Sequence, residues 1–519
     1  MEKMEGYAIG QQDFRILRED NAIYVDKTIY IEKLLKSKSN YFFLARPRRF
    51  GKSLFLSSLR YFFEGRRELF KGLYIDSFDW DWRPYPVLRL DLNPQRYNDP
   101  GMLDTILDNY FKEWEKKYDV VEKGEDTSTR FSNIIKSAHE KTGLPVVILV
   151  DEYDKPLVGN LNDDDRFEHY RSKLASLYSN FKSSAEHIRL VFLTGVSRFS
   201  KLSVFSDLNN INDITFSDEY ADICGITEKE LHANFKEGIE KLGEVERWSY
   251  ETACENLKNN YDGYRFARFG SDIYNPWSVL NCLNKSMIAN YWDQTGHPTI
   301  IVEALKRIDA DLEEYFNISC RLYKLAGIDL RSTNPLALLY QTGYLTIKDY
   351  DRDLGEVQLG IPNREVKEGL FNTLLPYYVK VKSGLVEKTV YELIRNLQLG
   401  KPEAFMKGLQ AYFAGIPYEL KMDNENNFHN AFYILTTLIG VNVQAEVSIS
   451  SGSIDLLMQT PKYIYVVELK YDHSAESALR QIEEKHYARP YRTDGRKLFK
   501  IGASFSSKTR CIESWLIEE

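Results

Sequence analysis

The sequence predicts an α/β protein built first around a parallel sheet, and three observations lead there. Apolar residues fill consecutive positions at Tyr41 to Leu44, Pro145 to Asp151 and Ile188 to Leu193, which is the pattern of strands buried on both faces of a sheet. The first run meets a turn carrying Gly51, Lys52 and Ser53 and then an amphipathic helix, the strand, loop, helix order of a phosphate-binding loop. The second run ends on Asp151 and Glu152, carboxylates at a strand exit, where a nucleotide-hydrolysing site needs them.

Bulk properties bound the rest. A chain of 519 residues is too long for one core and divides into about three or four domains. Hydrophobic content of 43% and charged content of 28% fit a globular protein, and a net charge of −8 gives no overall basic excess for nucleic acid. A local basic groove would still suffice for that purpose. Five scattered cysteines without a CxxC pair argue against a disulfide framework and a zinc site. The first twenty residues mix charges and lack the apolar core of a signal peptide. No run reaches membrane-spanning length, so the expectation is a cytoplasmic protein without membrane contact.

In order along the chain, Ile16 to Ser37 predicts a short strand and an amphipathic helix. The phosphate loop follows, with Arg49, Phe50, Gly51, Lys52, Ser53 and Leu54 as the nucleotide-binding stretch. Backbone N–H groups and a helix N-terminus point at phosphate oxygens there, Lys52 adds a point charge, and the Ser53 hydroxyl suits magnesium. The full pattern has a glycine five residues before Gly51, where this chain has Arg46 followed by the stiff Pro47. Further elements are a strand at Pro86 to Leu92, a helix at Met102 to Lys117 and a surface loop near Glu122 to Thr129.

At Asp151 the expected role is holding the magnesium shell of the nucleotide, and at Glu152 orienting the attacking water. Thr194 tips the next strand, placed to sense a terminal phosphate. Arg198 follows and could reach it in the same or a neighbouring subunit, which makes a homo-oligomer conceivable. From Gly225 a capping box of Thr227 and Glu230 opens a largely helical region running to about Tyr350. In it, YDGYRF (261–266) and YNPWSVLNCL (274–283) are expected to be structural, with a role in covering the nucleotide as the alternative, and Asn275 and Pro276 start a helix. The segments LLYQTGYLTI and LGIPNREV suggest two more strands before helices from about Glu365 to Phe413.

The runs YVDKT, RPRRFGKS, LVDEYDKP, LTGVSRFSK, FSDLNNINDIT, YDGYRF and YNPWS together resemble the bacterial and archaeal family of AAA-ATPase-like proteins. That resemblance implies an AAA-like P-loop NTPase domain that binds ATP, takes the arginine-bearing loop as the family's own form, and implies a nuclease-like second half.

That second half predicts a helix at Phe428 to Leu438, a strand at Val441 to Ile449, a turn at Ser451 and Gly452, and a return strand at Ile454 to Met458. A strand at Tyr463 to Leu469, a helix at Ala475 to Tyr487 and a final strand at Leu498 to Phe505 complete it. Asp455 precedes Glu468 with twelve residues between, and Lys470 follows two later. Strand alternation puts Glu468 and Lys470 on one face, with Asp455 on the adjacent strand of the hairpin. Two carboxylates and a lysine so placed suit a magnesium ion and a phosphodiester. The arrangement resembles the PD-(D/E)XK nuclease superfamily, which implies a restriction-endonuclease-like α/β domain with Asp455, Glu468 and Lys470 catalytic. By the same resemblance Glu425 on the first helix is a further metal-site acid and Gln481 a polar partner on the following helix. His429 and His486 are expected to be packing or hydrogen-bonding residues and not ligands.

The expectation is therefore three regions: 1–222 as the P-loop domain, 223–400 as a helical middle region and 401–519 as the nuclease-like domain. ATP and magnesium are the expected cofactors and DNA the expected partner. The alternative is an ATP-controlled switch or scaffold whose C-terminal domain binds a partner or nucleic acid without cutting it.

Overall fold

Five apolar residues in a row leave no face of Tyr41–Ala45 for water, and all five are buried in β1 of the central sheet. The structure is a computed structural model that describes residues 6–93, 97, 99–122, 124–160, 163–198, 210–292, 301–302, 304–305, 312–327, 334–378, 383–414, 425–442, 444–450, 453–491, 494–506, 508–509 and 511–519. These fall into two compact units, one of Met1–Gly296 with Ile318–Asn363 and one of His297–Asn317 with Arg364–Glu519. Of the region 223–400, residues 223–296 and 318–363 thus belong to the first unit and 297–317 and 364–400 to the second.

In the first unit β2 (Val87–Asp91), β3 (Val146–Asp151), β4 (Ile188–Gly195) and the two-residue β5 (Asn212–Asp213) join β1 in the order β2-β3-β4-β1-β5, every neighbour parallel. Because β4 lies between the loop strand and the acidic strand, its tip stands between their chemistries. Leu44 pairs with Thr194, and Val150 pairs with Leu193.

Helices α1 (Phe14–Glu19), α2 (Ile29–Lys36) and α3 (Lys52–Phe63) precede β2. The strand expected near residues 22–26 is not formed. Ile23 and Val25 pack against the apolar core of a later helical cluster and, among the described residues, pair with no strand. Between β2 and β4 run α4 (Met102–Lys117), α5 (Thr127–Thr142), the short α6 (Lys155–Val158) and α7 (Asp164–Ser183). The polar stretch expected as a loop to Thr129 already starts α5 at Thr127, because the Asp126 carboxylate caps the Ser128 and Thr129 N–H groups. Helix α7 buries Phe167, Tyr170, Leu174, Leu177, Tyr178 and Phe181, one face at helical spacing.

The capping box at Thr227 and Glu230 opens α8 (Glu228–Glu246), as the sequence indicates. With α9 (Tyr250–Tyr261) and α10 (Pro276–Lys285) it shares one apolar core, above a short ladder of β6 (Ile226–Thr227) and β7 (Ile273–Tyr274). Asn275 caps α10 by accepting from the Ser278 N–H. Of the two segments expected as strands after it, the first splits. Its leading part forms α11 (Leu336–Thr342), ended by Gly343 with φ of 91°. The remainder enters an antiparallel sheet of β8 (Ser319–Arg321), β10 (Glu356–Gly360) and β9 (Thr346–Asp351).

The second unit carries helices α12 (Arg364–Tyr378), α13 (Ser383–Gln398), α14 (Pro402–Ala414) and α15 (Glu425–Asn442). They accompany a mixed sheet in sequence order, β11 (Gln444–Ser450), β12 (Ser453–Gln459), β13 (Tyr463–Tyr471), β14 (Lys497–Ser506) and β15 (Cys511–Glu518). Only β13 and β14 run parallel, and α16 (Ala475–Glu484) makes that crossover. The strand expected to be last is followed by β15, whose burial does not alternate strictly and so gives a weak signal in the sequence. The turn expected at 451–452 lies outside the described residues. Among the described residues no helix is long and apolar enough to cross a membrane.

Candidate functional site

The loop after β1 takes its shape from two left-handed residues, Arg49 at φ of 69° and Gly51 at 95°. Gly51 is the N-cap of α3, and its missing Cβ makes that conformation inexpensive. Arg46 needs no such freedom and does not face the loop's opening. It is buried, and its guanidinium donates to the carbonyls of Ala45 (2.9 Å), Thr215 (2.8 Å), Tyr220 (3.1 Å) and Ala221 (3.4 Å) while stacking 4.4 Å from the Phe266 ring. Burial pulls its affinity for the proton down, yet a guanidinium remains charged. Phe50 is fully buried edge-on to Tyr264 and Phe266, and Arg49 stacks 4.1 Å from the Trp277 ring. The aromatic motifs at 261–266 and 274–283 therefore brace the loop.

Lys52 is buried, with its ammonium donating to the Arg46 (3.1 Å) and Pro47 (3.3 Å) carbonyls and standing 3.5 Å from Glu152 Oε1. Glu152 itself sits at φ of 52°, a left-handed strain for a residue with a Cβ. Asp151 is buried at the strand end. Its Oδ1 accepts from the Thr194 hydroxyl at 2.7 Å, and the nearby Ser53 hydroxyl also favours the charged carboxylate. Burial first, then the Glu152 charge, push the Asp151 pKa up against those hydroxyls. Lys52, Ser53, Asp151, Glu152 and Thr194 are thus gathered at one place from three parts of the chain.

Sequence reasoning passed over Asp154, which follows in the same LVDEYDKP run. Its buried carboxylate accepts from the N–H groups of Val196 (3.2 Å) and Ser197 (2.6 Å), so it tethers the segment after Thr194 to the acidic turn. Burial, then the Glu152 charge, raise its pKa from 3.8 to about 6. A raised folded-state value means the folded chain holds the proton more tightly. Stability from this group is complete below the unfolded value and is lost as pH climbs through about 6. Relative to the parent, Asp154→Asn is expected to gain up to roughly 3 kcal/mol between pH 4 and pH 7. Denaturant midpoints at both pH values check this; a constant difference would show that Asp154 does not carry the proton.

A cavity of about 330 Å³ opens beside this cluster, and its lining has two chemistries. Arg48, Gly51, Lys52, Ser53, Glu152 and Lys155 contribute the polar part; Ile23, Val25, Ile226, Phe235 and Leu280 contribute the apolar part. Arg198 is held elsewhere. Its guanidinium pairs with Asp213 at 2.7 Å and its backbone N–H donates to Gln341.

In the second unit Asp455 is the direct cross-strand partner of Glu468, and Ser453 that of Lys470. Glu468 is fully buried, its Oε1 accepting from the Gln481 amide at 2.5 Å and lying 3.9 Å from the Lys470 ammonium. Gly502, opposite Glu468 on β14, allows this: a Cβ there would meet the Leu479 backbone N at 2.4 Å, so its absence lets α16 settle over the strands. Glycine at that position is a signal the sequence offers, and pattern reasoning passes over it. Glu425 opens α15, but the side chains of Glu425, His429 and Asp455 lie outside the described residues.

Comparison with known proteins places two parts of the chain in described families and the whole chain beside a relative. Residues 8–205 match the AAA-ATPase-like family, described as predicted AAA-ATPase. Residues 423–515 match the PD-(D/E)XK nuclease superfamily. A protein of Azotobacter chroococcum mcd 1, described as an uncharacterized protein in the vnfD 5' region, is 33% identical over 526 residues, covering 98% of each chain.

Proposed function

This chain belongs to the predicted AAA-ATPase family that carries a PD-(D/E)XK nuclease superfamily domain, and from that premise we propose that it hydrolyses ATP and cleaves DNA under nucleotide control. The observation that carries the first half is the meeting of Lys52 and Glu152 at 3.5 Å, in front of the Asp151 to Thr194 hydrogen bond. Lys52 and the loop N–H groups bind the phosphates, the apolar part of the cavity takes the base, and Glu152 accepts a proton from the attacking water. Thr194 reports the state of the terminal phosphate to the segment that Asp154 tethers.

The oxygen donors of Ser53 and Asp151 suit a hard divalent cation, as do the carboxylates of Glu468 and Asp455 with Glu425. Magnesium bound there would neutralise phosphate charge at the first site and activate water at the second. In the second unit Gln481 orients Glu468, and Lys470 stabilises charge growing on the scissile phosphate. The functional division follows regions 1–222, 223–400 and 401–519.

A second reading, an ATP-controlled switch that binds nucleic acid without cutting it, draws on the complete burial of Glu468. Plasmid and single-stranded DNA incubated with magnesium or manganese, with and without ATP, separate the two. The expected result is cleavage that disappears in Lys470→Ala and changes in Lys52→Ala. ATP hydrolysis with no substrate cut would favour the switch.

A further inference from the structure

The cations around the cavity are not equally committed. Lys27 is taken by Glu230 at 2.7 Å and Lys52 by Glu152 at 3.5 Å, and Arg49 lies on the Trp277 ring, while Arg198, outside the lining, is held by Asp213 at 2.7 Å. Arg48 and Lys155 both line the cavity, and among the described residues neither makes an ion pair. They come from two different elements, the phosphate loop and the short helix just after Glu152. They also repel each other. Burial and then the Arg48 charge hold the Lys155 ammonium below its usual range, and the Arg48 charge also lowers Arg49. Half-buried like charges facing one opening are stabilised by an anion placed between them.

We propose that Arg48 and Lys155 are the cations that contact the terminal phosphoryl group of the bound nucleotide, supplied by the same chain and flanking Lys52. This rests on the nucleotide-binding reading above. It assigns the terminal group to residues on this chain's own loop and acidic turn, while Arg198 remains bound to Asp213. Charge that builds on the transferred phosphoryl oxygens would then be met by two cations already in position.

Calorimetric titration of the full chain with ADP and with the non-hydrolysable analogue AMP-PNP, magnesium present, tests it. Arg48→Ala and Lys155→Ala are each expected to weaken AMP-PNP by roughly ten- to a hundred-fold, the size of one charge-assisted hydrogen bond. ADP affinity should stay within about three-fold, since it lacks the group concerned. Arg48→Gln and Lys155→Gln give the same comparison if an alanine variant does not fold. Equal weakening of both nucleotides, or no change in either, overturns the proposal while leaving nucleotide binding intact. A parent chain that binds neither nucleotide overturns the binding reading and this proposal with it.

Discussion

Arg46→Ala is expected to destabilise the first unit by about 3–5 kcal/mol, with nucleotide binding weakened only as a consequence. The side chain bonds four carbonyls and lies against Phe266. Alanine leaves those buried acceptors short of a donor and opens a cavity the size of a guanidinium and its stem. Lysine cannot replace the planar fork, so Arg46→Lys should recover only a minor part. Chemical denaturation checks the stability, and ADP titration of the folded fraction checks the site. A variant as stable as the parent but unable to bind nucleotide would make Arg46 a phosphate ligand and contradict its buried position.

For Glu152→Gln the expected result is a fall in the ATP turnover rate of about a hundred- to a thousand-fold with ATP still bound, the usual contribution of a general base. Glutamine keeps the shape and loses the proton-accepting charge, and it frees Lys52 from its 3.5 Å ion pair. ATP affinity should therefore hold or rise. Glu152→Gly isolates the backbone. The left-handed φ of 52° costs a side chain what glycine avoids, so this variant should gain about 1 kcal/mol of stability while turnover still collapses. Turnover and thermal denaturation on the two variants separate the roles. If Glu152→Gln turns over within about three-fold of the parent, another residue handles the proton.

What was legible in the chain was what short-range pattern encodes. The unbroken apolar runs of β1, β3 and β4 announced a buried parallel sheet, because a strand with helices on both sides has no position for a polar residue. Gly51, Lys52 and Ser53 after the first run and Asp151 and Glu152 after the second located the loop and its acid without any coordinates. In the second unit the hairpin pattern already placed Asp455 on the strand adjacent to Glu468, and the structure adds that they are direct cross-strand partners. Elements with mixed patterns were harder. The start of α5 was hidden in polar residues, and α11 looked like a strand because an apolar run shorter than about two helical turns has no decisive period.

By itself, then, the sequence determined the fully buried strands β1, β3 and β4, the phosphate loop and the order of the acidic residues, because each rests on neighbours a few positions apart. Only the tertiary structure decided where the charges go. Arg46 occupies the glycine position of the loop pattern, yet three of its four carbonyl partners lie 169 and more residues away and turn it into a brace. Asp154 becomes a buried tether through N–H groups 42 and 43 residues on, and Arg198 is drawn to Asp213. The setting of Gln481 over Glu468 depends on a glycine in the next strand. The field at a side chain is set by what folding brings within a few ångströms of it, and spacing along the chain carries little of that information.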